Sequence, residues 1–109
     1  MKEYRIIVTV TARKQLRQAV SYIAKHLKNP QAAQSVFDDF HNTIQTLTYL
    51  ADTIVEPRYE LLQDNGLKRL NLQHHSYFIL FKVIKDTVYV TNVFHFKEDY
   101  LCRVNSFVD

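Results

Sequence analysis

The segment LKRLNLQHHSYFILFKVIKDTVYVTNVFHF, which runs from Leu67 to Phe96, decides the fold because it contains three successive strand patterns. From Tyr77 the chain reads Tyr-Phe-Ile-Leu-Phe-Lys-Val-Ile, and successive side chains of a strand point to opposite faces. Both faces are apolar here except at Lys82, and a strand that is apolar on both faces is buried on both. The pattern therefore predicts that residues 77–84 form the central strand of a sheet.

The next strand is predicted to pair with the central strand as a β-hairpin. Lys85-Asp86 makes a short polar break, and β-branched and aromatic residues dominate from Val88 to His95. Strict alternation divides this strand into two faces, with His95 on the second. The first face is predicted to carry Val88, Val90, Asn92 and Phe94.

A strand and a helix are predicted at the start of the chain. Apolar and polar residues mostly alternate from Tyr4 to Val10, which indicates a strand. Apolar residues then recur at spacings of three and four as far as Leu27, which indicates a helix. Its N-cap is predicted to be Thr11 or Thr9, since either hydroxyl can accept from a free amide of the first turn.

A second helix follows after a very short break. Asn29 can cap it, and Pro30 suits the first helical position, where a missing N–H group costs nothing. Apolar residues at helical spacing continue to Ala51, so the two helices should form a hairpin. Phe37 and Phe40 are interpreted as core residues of this helix.

Two further strands and a closing helix complete the prediction. A short edge strand is expected around residues 59–62, and Asn65-Gly66 is a strong signal for a tight turn. In the strand that follows, Arg69 is expected on the open face of the sheet. Residues 97–104 could form a short closing helix.

These elements predict an α+β fold in one domain that covers residues 1–109. Its order is an N-terminal strand, a helical hairpin and then a curved, mostly antiparallel run of four strands. No membrane span or signal peptide is expected, and the single Cys102 fits a cytoplasmic protein. The net charge of +3 is small for a protein that holds nucleic acid by backbone charge alone.

The candidate chemistry rests on a few polar residues of the predicted strands. With one Cys, one Gly and two adjacent histidines, no metal or cofactor motif is expected. A metal-independent ribonuclease needs a base, an acid and cations on the phosphate, which Glu or His with Arg or Lys could supply. The alternatives are a surface charge at Glu60 and a half-buried, hydrogen-bonded side chain at His95. The candidate residues are Glu60, Lys68, Arg69, Tyr77 and His95.

The order of these elements resembles the RelE/ParE superfamily of toxins from bacterial type II toxin–antitoxin pairs. The likeness spans Tyr4 to about Tyr100 and includes YIAKHLKNPQAAQSVFDDFHNTIQTL, GLKRLNL, YFILFKV and DTVYVTNVFHFKED. The resemblance implies two possible activities. RelE-like members, including the YoeB type, cut messenger RNA on the ribosome, whereas ParE-like members poison DNA gyrase.

The nuclease branch implies Glu60, Arg69 and His95 as catalytic residues. That branch typically has an arginine at the start of the central strand, where this chain has Tyr77. It also ends the last strand on a tyrosine or a histidine–tyrosine pair, where this chain reads His95-Phe96.

The ParE-like branch resembles this chain more closely, in NPQAA at the hinge, in GLKRLNL and in FHFKED. It implies a growth-arresting gyrase inhibitor without a cofactor, in a pair associated with plasmid stabilisation. A cognate antitoxin would neutralise it in a hetero-oligomer, with its C-terminal arm over the apolar surface. A third possibility is an inactive, antitoxin-binding regulator. For the gyrase inhibitor, the target-binding residues are expected to be Lys68, Arg69, Tyr77, His95 and Lys97.

Overall fold

In the part of the chain that the structure describes, the fold is a four-stranded sheet with a helical hairpin on one face. The structure, a computed structural model, describes residues 3–54 and 66–97. Its elements are β1 (Arg5–Val8), α1 (Val10–Lys25), α2 (Pro30–Leu50), a 3₁₀ turn (Ala51–Thr53), β2 (Lys68–Asn71), β3 (Tyr77–Ile84) and β4 (Thr87–His95). The predicted α+β order is confirmed. The predicted edge strand at 59–62 and nearly all of the predicted closing helix lie outside the described residues.

The strand order in the sheet is β1-β4-β3-β2. β3 is hydrogen-bonded to strands on both sides, as expected for the central strand, and both of these pairings are antiparallel. β1 pairs with β4 in parallel. The helical hairpin returns the chain to the end of the sheet where β1 begins, since the Tyr4 N–H donates to the Thr48 carbonyl near the end of α2. The start of β3 pairs with the end of β4, at Tyr77 and His95, and β4 also packs against α1.

A β-bulge in β4 overturns the predicted alternation of that strand. Leu80 pairs with Asn92, and Phe81 pairs with Val90, so Thr91 has no partner across the ladder. An extra residue in one strand turns every side chain beyond it to the opposite face of the sheet. Val93 consequently packs in the same cluster as Val88 and Val90, and Phe94 packs in another.

The helix boundaries follow from local capping. Thr9, rather than Thr11, is the N-cap of α1, since its hydroxyl accepts from the Ala12 N–H at 3.2 Å. α1 ends at Lys25, and Leu27 lies beyond it with 58% of its surface exposed, so the predicted helix was too long. Asn29 caps α2 as expected, by accepting from the Ala32 N–H at 3.0 Å.

Buried apolar residues lie on both faces of the sheet. The helix-facing cluster includes Tyr4, Ala12, Phe40, Leu47, Ile79, Phe81, Val88 and Val90. The other face carries Leu67, Phe78, Leu80 and Phe94. Phe40 is core as predicted, but Phe37 is 45% exposed. Phe37 lies about 60° around the helix from Phe40, at the margin of the buried stripe.

Candidate functional site

Tyr77 and His95 form the centre of the candidate site. Tyr77 is the first residue of β3 and His95 is the last residue of β4, and the two are cross-strand partners. Their rings meet edge to face with centroids 5.0 Å apart. The Lys97 N–H donates to His95 Nδ1 at 3.1 Å. Because Nδ1 is an acceptor in this arrangement, neutral His95 carries its proton on Nε2. The structure thus brings together three of the five predicted target-binding residues.

A cleft of about 260 Å³ lies between α1 and this pair of strand ends. Gln15 forms part of its wall and is buried, with Oε1 accepting from the Val93 N–H at 2.7 Å. That bond satisfies a backbone group beside the bulge. Gln15 Nε2 makes no hydrogen bond within the described part of the chain, so an N–H donor remains in the cleft wall.

Arg69 lies on the sheet face opposite the helices. Its guanidinium carbon is 3.9 Å from the centroid of the Phe78 ring, and its Nε donates to Asn71 Oδ1 at 3.0 Å. The sheet face that carries Arg69 was expected to be open to solvent. The centre of that face is covered, because Phe78 and Leu80 are fully buried there. The ring face fixes the guanidinium by a cation–π contact.

Lys68 lies on the helix-facing side of the same strand. It pairs with Phe81, whereas Arg69 pairs with Leu80, so their side chains leave opposite faces. Lys68 Nζ donates to the Ala51 carbonyl oxygen at 3.4 Å, at the end of α2. The structure therefore separates these two cations, and Glu60 lies outside the described residues.

A second polar group, which the sequence patterns did not reveal, surrounds Asp39. This α2 residue is only 5% exposed and accepts from the backbone N–H groups of Gln73 and His74, at 3.2 and 2.9 Å. It also accepts from His75 Nδ1 at 2.7 Å. The available signal was a carboxylate between Val36 and Thr43 on the buried stripe of the helix.

Hydrogen bonding decides the charge of Asp39. Burial by itself raises the pKa of this carboxyl. Hydrogen bonds outweigh that effect and lower the pKa from its ordinary 3.8; they come from the His75 ring and from the His74 and Gln73 amides. The charge of His75 lowers the pKa further. Asp39 is consequently an anion at neutral pH, held by three donors.

No group of three His, Cys, Asp or Glu residues within residues 3–54 and 66–97 could hold a metal ion. Over the same residues, no helix is both long enough and apolar enough to span a membrane.

Comparison with known proteins identifies the family. The model of a family described as "ParE toxin of type II toxin-antitoxin system, parDE" matches residues 6–100. The chain belongs to the ParE toxin family. A chain from a solved structure of the chromosomal ParDE system of P. aeruginosa superposes on it with a TM-score of 0.72 and 16% identity. The match covers 85% of this chain and 96% of that one, and it shows a shared fold. No curated protein matches significantly.

Two residues at the site of this ParE-family toxin bear on its chemistry. Tyr77 begins β3 without a positive charge, and Phe96, just beyond β4, has no hydroxyl. The Phe96 ring lies 6.1 Å from that of Phe78, centroid to centroid, and 5.4 Å from the Arg69 guanidinium carbon. Phe96 therefore contributes packing at the end of β4 and no proton-transfer group.

Proposed function

We propose that this ParE-family toxin arrests bacterial growth in the cytoplasm by inhibiting DNA gyrase, and that a cognate antitoxin neutralises it. The match of the ParE family model to residues 6–100 carries the proposal. The family resemblance links ParE-like toxins to gyrase and RelE-like toxins to messenger RNA. Tyr77, which has no positive charge, and Phe96, which has no hydroxyl, favour the same ParE-like branch.

The distribution of cations supports binding rather than RNA cleavage. Cleavage of RNA without a metal requires positive groups that converge on the phosphate and stabilise its developing charge. Lys68 and Arg69 project from opposite faces of β2 and cannot converge in this way. Tyr77, His95 and Lys97 instead form a mixed aromatic and polar surface suited to a protein partner.

A groove between the two helices supports the antitoxin as a partner. It has a volume of about 300 Å³, and Leu16, Val20 and Phe37 line it together with Arg13 and Arg17. Phe37 is the exposed aromatic residue of this groove. An antitoxin arm with apolar residues flanked by acidic ones would cover Phe37 and pair with the arginines, which gives a hetero-oligomer.

The experiment expresses the toxin alone in bacteria and follows the incorporation of labelled thymidine and labelled methionine during the first minutes. Inhibition of gyrase predicts that thymidine incorporation falls first while methionine incorporation continues. An early collapse of methionine incorporation would identify the ribosome as the target. Undisturbed growth with intact soluble toxin would indicate an inactive regulator.

Two variants sharpen this experiment. Glu60→Gln and His95→Gln remove the groups that a ribonuclease would use for proton transfer, at a cost of about 10²-fold or more in its rate. For a gyrase inhibitor, Glu60→Gln should leave the toxicity unchanged, whereas His95→Gln alters the proposed contact surface. Loss of toxicity in folded Glu60→Gln protein would support the nuclease instead.

A further inference from the structure

A polar cleft of about 420 Å³ lies between α2 and the turn that joins β2 to β3. All the side chains that line it are polar, among them Gln31, Ser35, Asp39 and Asn42 from α2 and His75 from the turn. The proposed inhibition of gyrase makes no use of this cleft. The chemistry of the cleft and the inhibition of gyrase can therefore be measured independently.

Three of these side chains form a continuous hydrogen-bonded relay. His75 Nδ1 lies 2.7 Å from Asp39 Oδ2, and His75 Nε2 lies 3.3 Å from Ser35 Oγ. Because the ionised Asp39 can only accept, Nδ1 must donate to it, and in the neutral form of the ring Nε2 is then an acceptor. The Ser35 hydroxyl then donates to Nε2.

This order of groups is the one that activates a serine. A hydroxyl is a weak nucleophile until a base takes its proton, and the base must be held in the correct tautomer by a third group. Asp39 is well placed for that role, since it is buried and two backbone N–H groups also fix its carboxylate. Ser35 is exposed, so a small molecule can reach its hydroxyl.

We propose that Ser35 is an activated nucleophile that accepts acyl groups from small activated esters, with His75 as the base and Asp39 as a positioning residue. Ser35 Oγ attacks the ester carbonyl, its proton passes to His75 Nε2, and the carbon–oxygen bond to the alcohol breaks. His75 returns the proton to the alcohol as it leaves. Water then releases the acyl group by the same route. Gln31 and Asn42 line the cleft, and their side-chain amides carry N–H donors for the negative oxygen that develops on the ester carbonyl.

The first test uses a fluorophosphonate probe on the full chain, read by intact-mass and peptide mass spectrometry. The Ser35 oxygen displaces fluoride from phosphorus, and the proton passes to His75. The expected result is one adduct per chain, at Ser35, and none in Ser35→Ala. Ser76→Ala is the matched control, because Ser76 is an exposed serine beside His75 that lies outside the relay. This control should label like the parent protein.

The base and the positioning residue have separate readouts. His75→Gln should slow the labelling of Ser35 by about 10²-fold. Asp39→Asn should slow it similarly and should also move the imidazole proton of His75 from Nδ1 to Nε2, which ¹⁵N NMR of the ring detects. A purely structural Asp39 would alter stability and leave the labelling rate of the folded protein unchanged.

The hydrolysis of p-nitrophenyl acetate provides an independent measurement. A burst of one equivalent of p-nitrophenolate, absent in Ser35→Ala, is expected. Ser35→Ala places a good helix former at an exposed helical position, so this variant should fold. Absence of the adduct from the parent protein, or equal labelling of Ser35→Ala and the parent, would overturn the proposal. Neither result would affect the proposed inhibition of gyrase.

Discussion

At the scale of single residues, Asp39 is the polar group on which most of the local structure depends. Its carboxylate connects α2 to the turn before β3 through three hydrogen bonds, from the Gln73 and His74 amides and the His75 ring. Hydrogen bonds to a buried charge are stronger than neutral ones, and unsatisfied buried donors are costly. Removal of this charge should therefore affect stability in a pH-dependent way.

The first prediction concerns Asp39→Asn. The folded-state pKa of Asp39 lies below its ordinary 3.8, so its stabilising effect is full well above pH 3.8. It declines as the pH falls through 3.8 towards the folded-state pKa, because the unfolded chain takes up the proton first. At pH 7 the variant should lose about 2 kcal/mol of unfolding free energy.

Urea denaturation at pH 7, 5 and 3 checks this prediction. The stability difference between the parent and Asp39→Asn should be similar at pH 7 and 5 and should be smaller at pH 3. A difference that stays constant down to pH 3 would show that the ionised form of Asp39 is not preferentially stabilised in the folded protein.

The second prediction concerns Gln15→Leu. The leucine cannot accept from the Val93 N–H, which would leave a buried backbone donor without its partner at a cost of about 1–3 kcal/mol. Gln18→Leu is the control, because Gln18 is exposed on the same helix. The amide of Val93 should exchange with deuterium faster in Gln15→Leu only. Equal exchange rates in the two variants would contradict the assigned role.

At the scale of elements, the order of strands and helices was predictable, but the bulge in β4 was not. Val88, Val90 and Val93 share a cluster although strict alternation separates Val93 from the other two. Apolar residues occupy both faces of this strand. When the bulge at Thr91 exchanges the two faces, apolar side chains therefore still face both sides, and the hydrophobic pattern does not reveal the exchange. No glycine or proline marks the position either.

The third prediction compares two phenylalanines of α2. Phe40→Ala removes a ring that is 4% exposed and should cost about 3–5 kcal/mol of unfolding free energy. Phe37→Ala removes a ring that is 45% exposed and should cost less than about 1 kcal/mol. Chemical denaturation of both variants checks this, and similar losses would place Phe37 in the core after all.

Phe37→Ala also tests the proposed antitoxin surface. The folded variant should retain growth arrest when it is expressed alone, since Phe37 lies outside the Tyr77–His95 surface. It should bind the antitoxin about tenfold or more weakly if the ring is an anchor of that interface. Unchanged antitoxin affinity, measured by calorimetry, would remove the helical groove from the proposed interface.

The fourth prediction concerns the start of α1. The hydroxyl of Thr9 accepts from the Ala12 N–H and donates to the Thr91 carbonyl, so it links the helix cap to the bulge. Thr9→Ala should cost about 1–2 kcal/mol, and Thr11→Ala should be nearly neutral. Thermal denaturation distinguishes them, and Thr9→Ser should restore most of the loss. Equal effects of the two alanine substitutions would contradict the cap assignment.

At the scale of the whole molecule, local patterns predicted the fold better than they predicted the site. Strand periodicity placed Tyr77 and His95 at strand ends, and the pairing of β3 with β4 brought them together. The same periodicity, applied to adjacent residues, could have shown that Lys68 and Arg69 leave opposite faces. The contact between Asp39 and His75 joins residues 36 positions apart, and no local pattern carries that information.

The fifth prediction concerns the proposed inhibition of DNA gyrase by this ParE-family chain. Purified toxin is added to purified gyrase, and the ATP-dependent supercoiling of relaxed plasmid DNA is measured. The expected result is loss of supercoiling as the toxin reaches and exceeds the gyrase concentration, with recovery when the cognate antitoxin is added first. An unchanged supercoiling rate at a large molar excess of folded toxin would contradict the proposed inhibition of gyrase.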